Sequence, residues 1–355
     1  MADPVRVAVA DECSTSRALV RRMLAGQESV EVVAEAASRR ELLAELEDRP
    51  VDLVLLDVEL PEQGGLEALK ALQERAPALP VALLSATSQA RRAVEALALG
   101  AVEVIRKPNH PSEEDRLVRA LERVVRCALA ARTAQPVSAA ESEPRPVAPE
   151  PRSGSLSETP ELVVMGVSTG GPRALRTVLS SLSPSFPLPI VVIQHMAEGF
   201  TSSLALSLNA DCALPVREVQ PGDRARAGGV YVAPGGRHLE LGPRAGEEGE
   251  FTLRIFEGEP ENGGRPSIDR FLRSTARRVD RPVLSVLLTG MGTDGAHGVQ
   301  ATKEASTSYC LAQDEASSVV WGIPRSGLEL GVVDEVLALD AIGERLEALA
   351  SGDPA

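Results

Sequence analysis

Ser168, His195 and Asp294 are the residues of this sequence best suited to activating a nucleophile. A serine hydroxyl attacks a carbonyl weakly until an imidazole takes its proton. The imidazole works best when a carboxylate fixes its tautomer and stabilises its charged form. Each of the three follows an apolar run of strand type: Ser168 comes after ELVVMGV (161–167), His195 ends PIVVIQH (189–195), and Asp294 lies just past PVLSVLLTG (282–290). Strand ends along one edge of a parallel sheet are where such a cluster can form. The chain has four histidines, which narrows the choice of base. His110 falls in the first half, His238 in a glycine-rich loop, and His297, three residues after Asp294, is the other candidate for that site.

The stretch VMGVSTGGPRAL (164–175) admits more than one reading. GVSTG fits G-x-S-x-G, a strand-to-helix turn in which glycines let the serine hydroxyl stand exposed. Hydrolases with that elbow run Ser, acid, His along the chain, whereas the order here is Ser, His, Asp. Small residues ahead of a helix also leave N–H groups free for an anion, although neither GxGxxG nor a P-loop lysine is present. Backbone N–H groups near Thr169 and Met291 are the candidates for holding an oxyanion.

A second constellation lies in the first half. Asp11 and Glu12 follow VRVAVA (5–10), Asp57 follows DLVLL (52–56), Ser85 ends VALLS (81–85), and Lys107 follows VEVI (102–105). Single acids at strand ends can serve as helix caps. Three together repel one another unless a cation intervenes, and an all-oxygen set suits Mg²⁺. A lysine and a hydroxyl opposite them could hold the oxygens of a phosphoryl group accepted by one carboxylate.

The elements that would position these groups follow from hydrophobic period. Those four runs and VEVVA (30–34) alternate with helical patterns, the clearest placing Leu117, Val118, Leu121, Val124, Val125 and Leu129 on one face with Ser112 as N-cap. Five strands alternating with five helices predict an α/β, doubly wound, flavodoxin-like parallel sheet over 1–132. After 161 the rhythm resumes, with GGVYVAP (228–234) as a further strand, a hairpin around 240–256, and a helix over 267–279 capped by Ser267. That predicts a second doubly wound domain, mostly parallel and Rossmann-like, over 161–350. Between them, 133–160 carries six prolines and no aromatic residue and reads as an extended linker.

Composition excludes several classes. With 43% hydrophobic and 25% charged residues over 355 positions, the chain reads as globular, and no apolar run approaches the roughly 20 residues a membrane span needs. The start, MADPVRVAVADE, does not resemble a secretory signal, which points to the cytoplasm. Cys13, Cys127, Cys212 and Cys310 are scattered without a CxxC pair and read as reduced thiols. A net charge of -14 argues against nucleic acid as a partner.

The segments DECSTSR, LVLLDVELPEQGGLEAL, LPVALLSATS and EVIRKP resemble, in order and spacing, the receiver domain of bacterial two-component response regulators over about 1–130. The resemblance implies that Asp57 accepts the phosphoryl group, Asp11 and Glu12 belong to the Mg²⁺ pocket, Ser85 is the switching hydroxyl, and Lys107 contacts the phosphoryl group. Glu12 stands where Asp is commoner, and Gly64 where Asp often precedes the glycine.

From about 161 to 348, VMGVSTGGPRAL, VVIQHMAEGFTSSLA, VYVAPGGRHLEL, RPSIDRFLRS, LLTGMGTDGAHG and AQDEASSVVWGIPRSGLELGVVDEVL resemble the catalytic domain of chemotaxis protein-glutamate methylesterases, the CheB family. This resemblance implies Ser168 as nucleophile, His195 as general base and Asp294 as orienting carboxylate. The implied substrates are γ-glutamyl methyl esters on chemoreceptors, with glutamine deamidation as a second activity, and the implied phosphodonor is a chemotaxis histidine kinase. It further implies that the unphosphorylated receiver covers the catalytic edge until phosphorylation shifts the population. Two departures stand out: KEASTSYCLAQDE (303–315) lacks an expected glycine pair, and 241–250 is unusually acidic. An adaptor that has lost catalysis and a transcriptional regulator are the alternative classes. The intact Ser, His and Asp argue against the first, and an acidic chain without a helix-turn-helix pattern in its second half against the second.

Overall fold

A computed structural model of the chain describes residues 3–27, 29–61, 64–86, 90–133, 158–245 and 250–351. The chain forms two compact units. Nearly all of the expected linker, 134–157, lies outside the described residues, and Thr133 is the last residue of a helix. Among the described residues, no helix is long and apolar enough to cross a membrane.

The first unit alternates strand and helix without interruption: β1 (Val5–Ala10), α1 (Ser14–Ala25), β2 (Val30–Ala36), α2 (Arg39–Asp48), β3 (Leu53–Asp57), α3 (Gly64–Arg75), β4 (Val81–Ser85), α4 (Ala90–Ala98), β5 (Glu103–Arg106) and α5 (Glu114–Thr133). The sheet order is β2-β1-β3-β4-β5, all parallel, the arrangement expected when right-handed crossovers put helices on both faces. Period-two alternation sends Val7, Val9, Leu53 and Leu55 to one face, where they pack with Leu117, Leu121 and Val124 of α5. Ser112 does not cap that helix. It lies inside a short 3₁₀ turn, Pro111–Glu113, because the proline starts a tighter turn that runs directly into α5.

The second unit contains β6 (Leu162–Val167), α6 (Gly171–Ser180), β7 (Ile190–Gln194), α7 (Thr201–Asp211), β8 (Val216–Glu218), β9 (Arg224–Ala225), β10 (Val230–Val232), β11 (His238–Ala245) and β12 (Glu250–Phe256). It continues with α8 (Ile268–Ala276), β13 (Val283–Leu287), α9 (Ala296–Ala305), β14 (Tyr309–Gln313), α10 (Gly322–Glu329), β15 (Glu335–Leu337) and α11 (Ile342–Ser351). Seven strands form one parallel sheet in the order β15-β14-β13-β6-β7-β10-β8, and the expected hairpin, β11 and β12, pairs with β9 in a separate antiparallel sheet. Ile268, Phe271 and Leu272 of α8 are fully buried against Leu162, Val164, Val283 and Leu287. That packing fixes the N-terminus of α8 near the carboxyl ends of β13, β6 and β7, three neighbours in the sheet.

Candidate active site

The order β13-β6-β7 brings together the loops that carry the three candidate residues. Ser168 follows β6 directly and His195 follows β7. His195 N donates to Val167 O at 3.0 Å, and Ser168 N donates to Thr289 O, beyond β13, at 3.0 Å. The serine loop is therefore pinned between its two neighbours. Gln194, 1% exposed, reinforces this: its Nε2 donates to the carbonyls of both Ser168 and His195 at 2.9 Å. Thr289 Oγ1 donates to Thr169 O at 3.0 Å and accepts from Val320 N at 3.0 Å. The approach is close at Gly290, where a Cβ would stand 2.6 Å from Ser168 Cβ.

His195 Nε2 lies 2.8 Å from Asp294 Oδ2. Asp294 is 2% exposed and takes four further hydrogen bonds. Oδ2 accepts from Ile268 N at 2.8 Å, and Oδ1 accepts from Asp269 N at 2.9 Å, Ser267 Oγ at 3.0 Å and Asn262 Nδ2 at 2.9 Å. Two of those donors are free N–H groups of the first turn of α8, where the helix end favours an anion. Ser267 also accepts from Arg270 N at 3.2 Å, the N-cap bond expected of it. Burial alone would push the Asp294 carboxyl up. The bonds from His195, Asp269 N and Asn262 outweigh it and hold the group down at about 2.

The arrangement joins two of the three candidates directly and leaves the third beside them. Ser168, 7% exposed, makes no hydrogen bond from its hydroxyl to His195. Such bonds commonly tighten only when substrate is present. With Nε2 committed to Asp294, Nδ1 is the ring nitrogen left for proton transfer. His297, in the first turn of α9, is exposed and takes no part in the Asp294 contacts, while His238 is fully buried with Nε2 on Glu259 O at 2.8 Å. His110 is exposed in the first unit. Thr169 is buried next to Ser168, and Met291, half-buried, follows Gly290 on the opposite side of the loop. None of the four cysteines forms a disulfide among the described residues.

In the first unit, Asp11, Asp57 and Lys107 meet at the carboxyl edge of the sheet. Lys107 Nζ lies 2.8 Å from Asp11 Oδ2 and 2.7 Å from Asp57 Oδ2. Asp11 also accepts from Ser16 Oγ at 2.5 Å and Cys13 N at 2.9 Å. Burial raises the Asp57 carboxyl above its ordinary range, against the pull of Lys107. Ser85 is fully buried, its Oγ donating to Ala86 O at 3.0 Å. Of the three expected carboxylates, Asp11 and Asp57 lie together on Lys107. Glu12 is exposed, and among the described residues no three acids, histidines or cysteines are arranged to hold a metal ion. The Lys107 ammonium lies against both buried carboxylates and offsets their charge. Two hard carboxylates still match the way Mg²⁺ binds, through one or two acids and retained waters.

Sequence reasoning missed the residues that hold Asp294. Ser267 was legible as a cap, but nothing in its spacing ties it to Asp294. Asn262 and Gly263 form an Asn-Gly turn, a signal for chain reversal and not for a site.

A receiver on one sheet and, on the other, a histidine–carboxylate pair beside a serine define a response regulator carrying a hydrolase domain. Residues 7–122 match the family model for the response regulator receiver domain, and 163–346 that for CheB methylesterase. The chain is 38% identical to a protein-glutamate methylesterase/protein-glutamine glutaminase of Anaeromyxobacter dehalogenans, covering 98% of this chain and 97% of that one. It is 36% identical to the protein of the same name from Halalkalibacterium halodurans, over 98% of both. The solved catalytic domain of Thermotoga maritima CheB methylesterase superposes with a TM-score of 0.51 at 38% identity, covering 54% of this chain and all of that one. The chain belongs to the CheB methylesterase family.

Proposed function

We propose that this chain is a phosphorylation-controlled protein-glutamate methylesterase. It hydrolyses γ-glutamyl methyl esters on chemotaxis receptors in the cytoplasm, and hydrolyses receptor glutamine amides as a second activity. Ser168 Oγ attacks the ester carbonyl as its proton passes to His195 Nδ1. The C–O bond to the methyl group's oxygen breaks, and methanol leaves with that proton. Water then attacks the acyl-enzyme with His195 again as base, releasing the free γ-carboxylate and Ser168. Asp294 holds the imidazole through Nε2 and stabilises it while charged. N–H groups at Thr169 and Met291 bind the oxyanion, each worth about 3 kcal/mol. The observation that carries this reading is the 2.8 Å His195–Asp294 bond at the sheet edge occupied by Ser168.

Control lies in the receiver. Asp57 accepts a phosphoryl group from a histidine kinase, with Lys107 and Ser85 contacting its oxygens. Asp11 and Asp57, with Glu12 on the adjoining loop, would hold Mg²⁺. When bound, that ion supplies the positive charge that lets a phosphoryl group approach the carboxylates. Methanol release from methylated receptor membranes tests the reading: the wild-type chain releases methanol, more so with a small phosphodonor, and Ser168→Ala releases none. Near-wild-type release by Ser168→Ala would overturn it.

A further inference from the structure

We propose that Asn262 is a positioning residue for hydrolysis: its side-chain amide ties Asp294 to a second buried carboxylate, Asp269, and so holds Asp294 in line with His195. This rests on the esterase reading above. The two acids sit at the crossing of α8 and α9, and each serves the other's helix. Asp294, just ahead of α9, accepts from the first N–H groups of α8. Asp269, in the first turn of α8, accepts from Gly295 N at 2.9 Å and Gly298 N at 2.6 Å at the start of α9. Two negative charges are thus enclosed side by side, 2% exposed each. Burial and the neighbouring Asp294 push the Asp269 carboxyl up.

An amide nitrogen has two protons to give, and Asn262 uses both. Nδ2 lies 2.8 Å from Asp269 Oδ2 and 2.9 Å from Asp294 Oδ1. Among the described residues, no other side chain bonds both acids. Without that bridge the carboxylates face each other with one donor fewer apiece, and repulsion turns Asp294 away from the oxygen placement that His195 requires.

The competing explanation is turn chemistry. Asn262 has φ 51° and Gly263 φ 78°, and Glu261 and Gly264 exchange N–H···O bonds of 3.1 and 3.0 Å across them. This is the left-handed pair that favours Asn-Gly. A turn, however, is served almost equally by Asp or Gly at the first position. Only an amide or another double donor serves two acids.

The test uses the full chain with methylated receptor membranes and compares Asn262→Asp, Asn262→Gly and Ser168→Ala. Asn262→Gly keeps the backbone and deletes the bridge, and kcat is expected to fall about tenfold with KM unchanged. Asn262→Asp keeps shape and turn preference but adds a third carboxylate, and kcat is expected to fall about a hundredfold. The charged groups around position 262 are Asp269, Asp294 and His195 from packed elements, with Glu261 ion-paired to Arg270 and Arg273 beside it. The Asn262→Asp deficit relative to wild type therefore narrows as pH falls and the added carboxyl protonates. Fluorophosphonate labelling of Ser168 slows in the same ratios, independently of receptor binding. If Ser168→Ala is inactive while Asn262→Asp matches wild type, Asn262 serves the turn alone and the inference is wrong, with the esterase reading intact. If Asn262→Asp does not fold, wild-type kcat in Asn262→Gly overturns the inference equally. Activity in Ser168→Ala sinks the underlying reading instead.

Discussion

Replacing Asp294 with asparagine probes the site where the structure makes its strongest demand. Five donors converge on this carboxylate: His195 Nε2, Ile268 N, Asp269 N, Ser267 Oγ and Asn262 Nδ2. An amide offers one acceptor oxygen and one NH₂, so either orientation sets donors against donors. With NH₂ in the Oδ1 position it meets Asn262, Asp269 N and Ser267, whose hydroxyl already accepts from Arg270 N. With NH₂ in the Oδ2 position it meets Ile268 N and His195. His195 can then respond only by becoming an acceptor at Nε2, which leaves its proton on Nδ1, where the base should be free. The wrong tautomer in a Ser-His-carboxylate site costs about 10³–10⁴-fold in kcat. Stability falls too. A carboxyl held at about 2 instead of its ordinary 3.8 stabilises the native ionised form by about 2 kcal/mol at neutral pH. Because the native value is the lower one, this stabilisation is present above about pH 4 and is lost as pH falls from there through 2. Calorimetry of the full chain should show the catalytic unit of Asp294→Asn melting about 4–8 °C lower near pH 7, with the gap closing in that acid window. Methanol release within tenfold of wild type, or an unshifted melting temperature at pH 7, would refute the reasoning.

Other outcomes follow from the same geometry. Asp57→Asn removes the acceptor carboxylate and should abolish stimulation by acetyl phosphate in the methanol assay while basal hydrolysis persists. Gly290→Ala puts a Cβ 2.6 Å from both Ser168 Cβ and Ile323 Cδ1. It should destabilise the catalytic unit by about 1–3 kcal/mol in urea unfolding and cut kcat about a hundredfold by displacing the nucleophile. Thr289→Val strips hydrogen bonds from Thr169 O and Val320 N in a buried setting. A stability loss of about 1–3 kcal/mol is expected, read by urea unfolding.

The parallel sheets were legible because buried strands write themselves as apolar runs: VRVAVA and VALLS coincide with β1 and β4 to the residue, and ELVVMGV with β6 to within one. Of the shorter strands, β10 was flagged by GGVYVAP while others were not. β8 (VRE) and β15 (EVL) are three residues long and carry charged side chains, and β14 offers only the four apolar residues Tyr309–Ala312 set among polar ones. The residues around the site divide the same way. Ser168, His195 and Asp294 follow the strongest strands and could be picked by type. Their support could not: Asp269 and Asn262 meet Asp294 through the packing of α8 on α9, and Gln194 looks like one more residue at a strand end until its amide is seen bonding Ser168 and His195. In the receiver, strand ends named Asp11, Asp57 and Lys107, and their side chains meet at one edge of the sheet. Glu12, named with them, is exposed on the loop after β1.

The most direct test of the central claim is to trap the nucleophile. A fluorophosphonate incubated with the full chain and mapped by peptide mass spectrometry should modify Ser168. Labelling rates in His195→Ala and Asp294→Asn should fall in step with methanol release from methylated receptors. Methanol release that continues after Ser168 is fully modified, or an adduct on a different residue that tracks activity, would contradict the account.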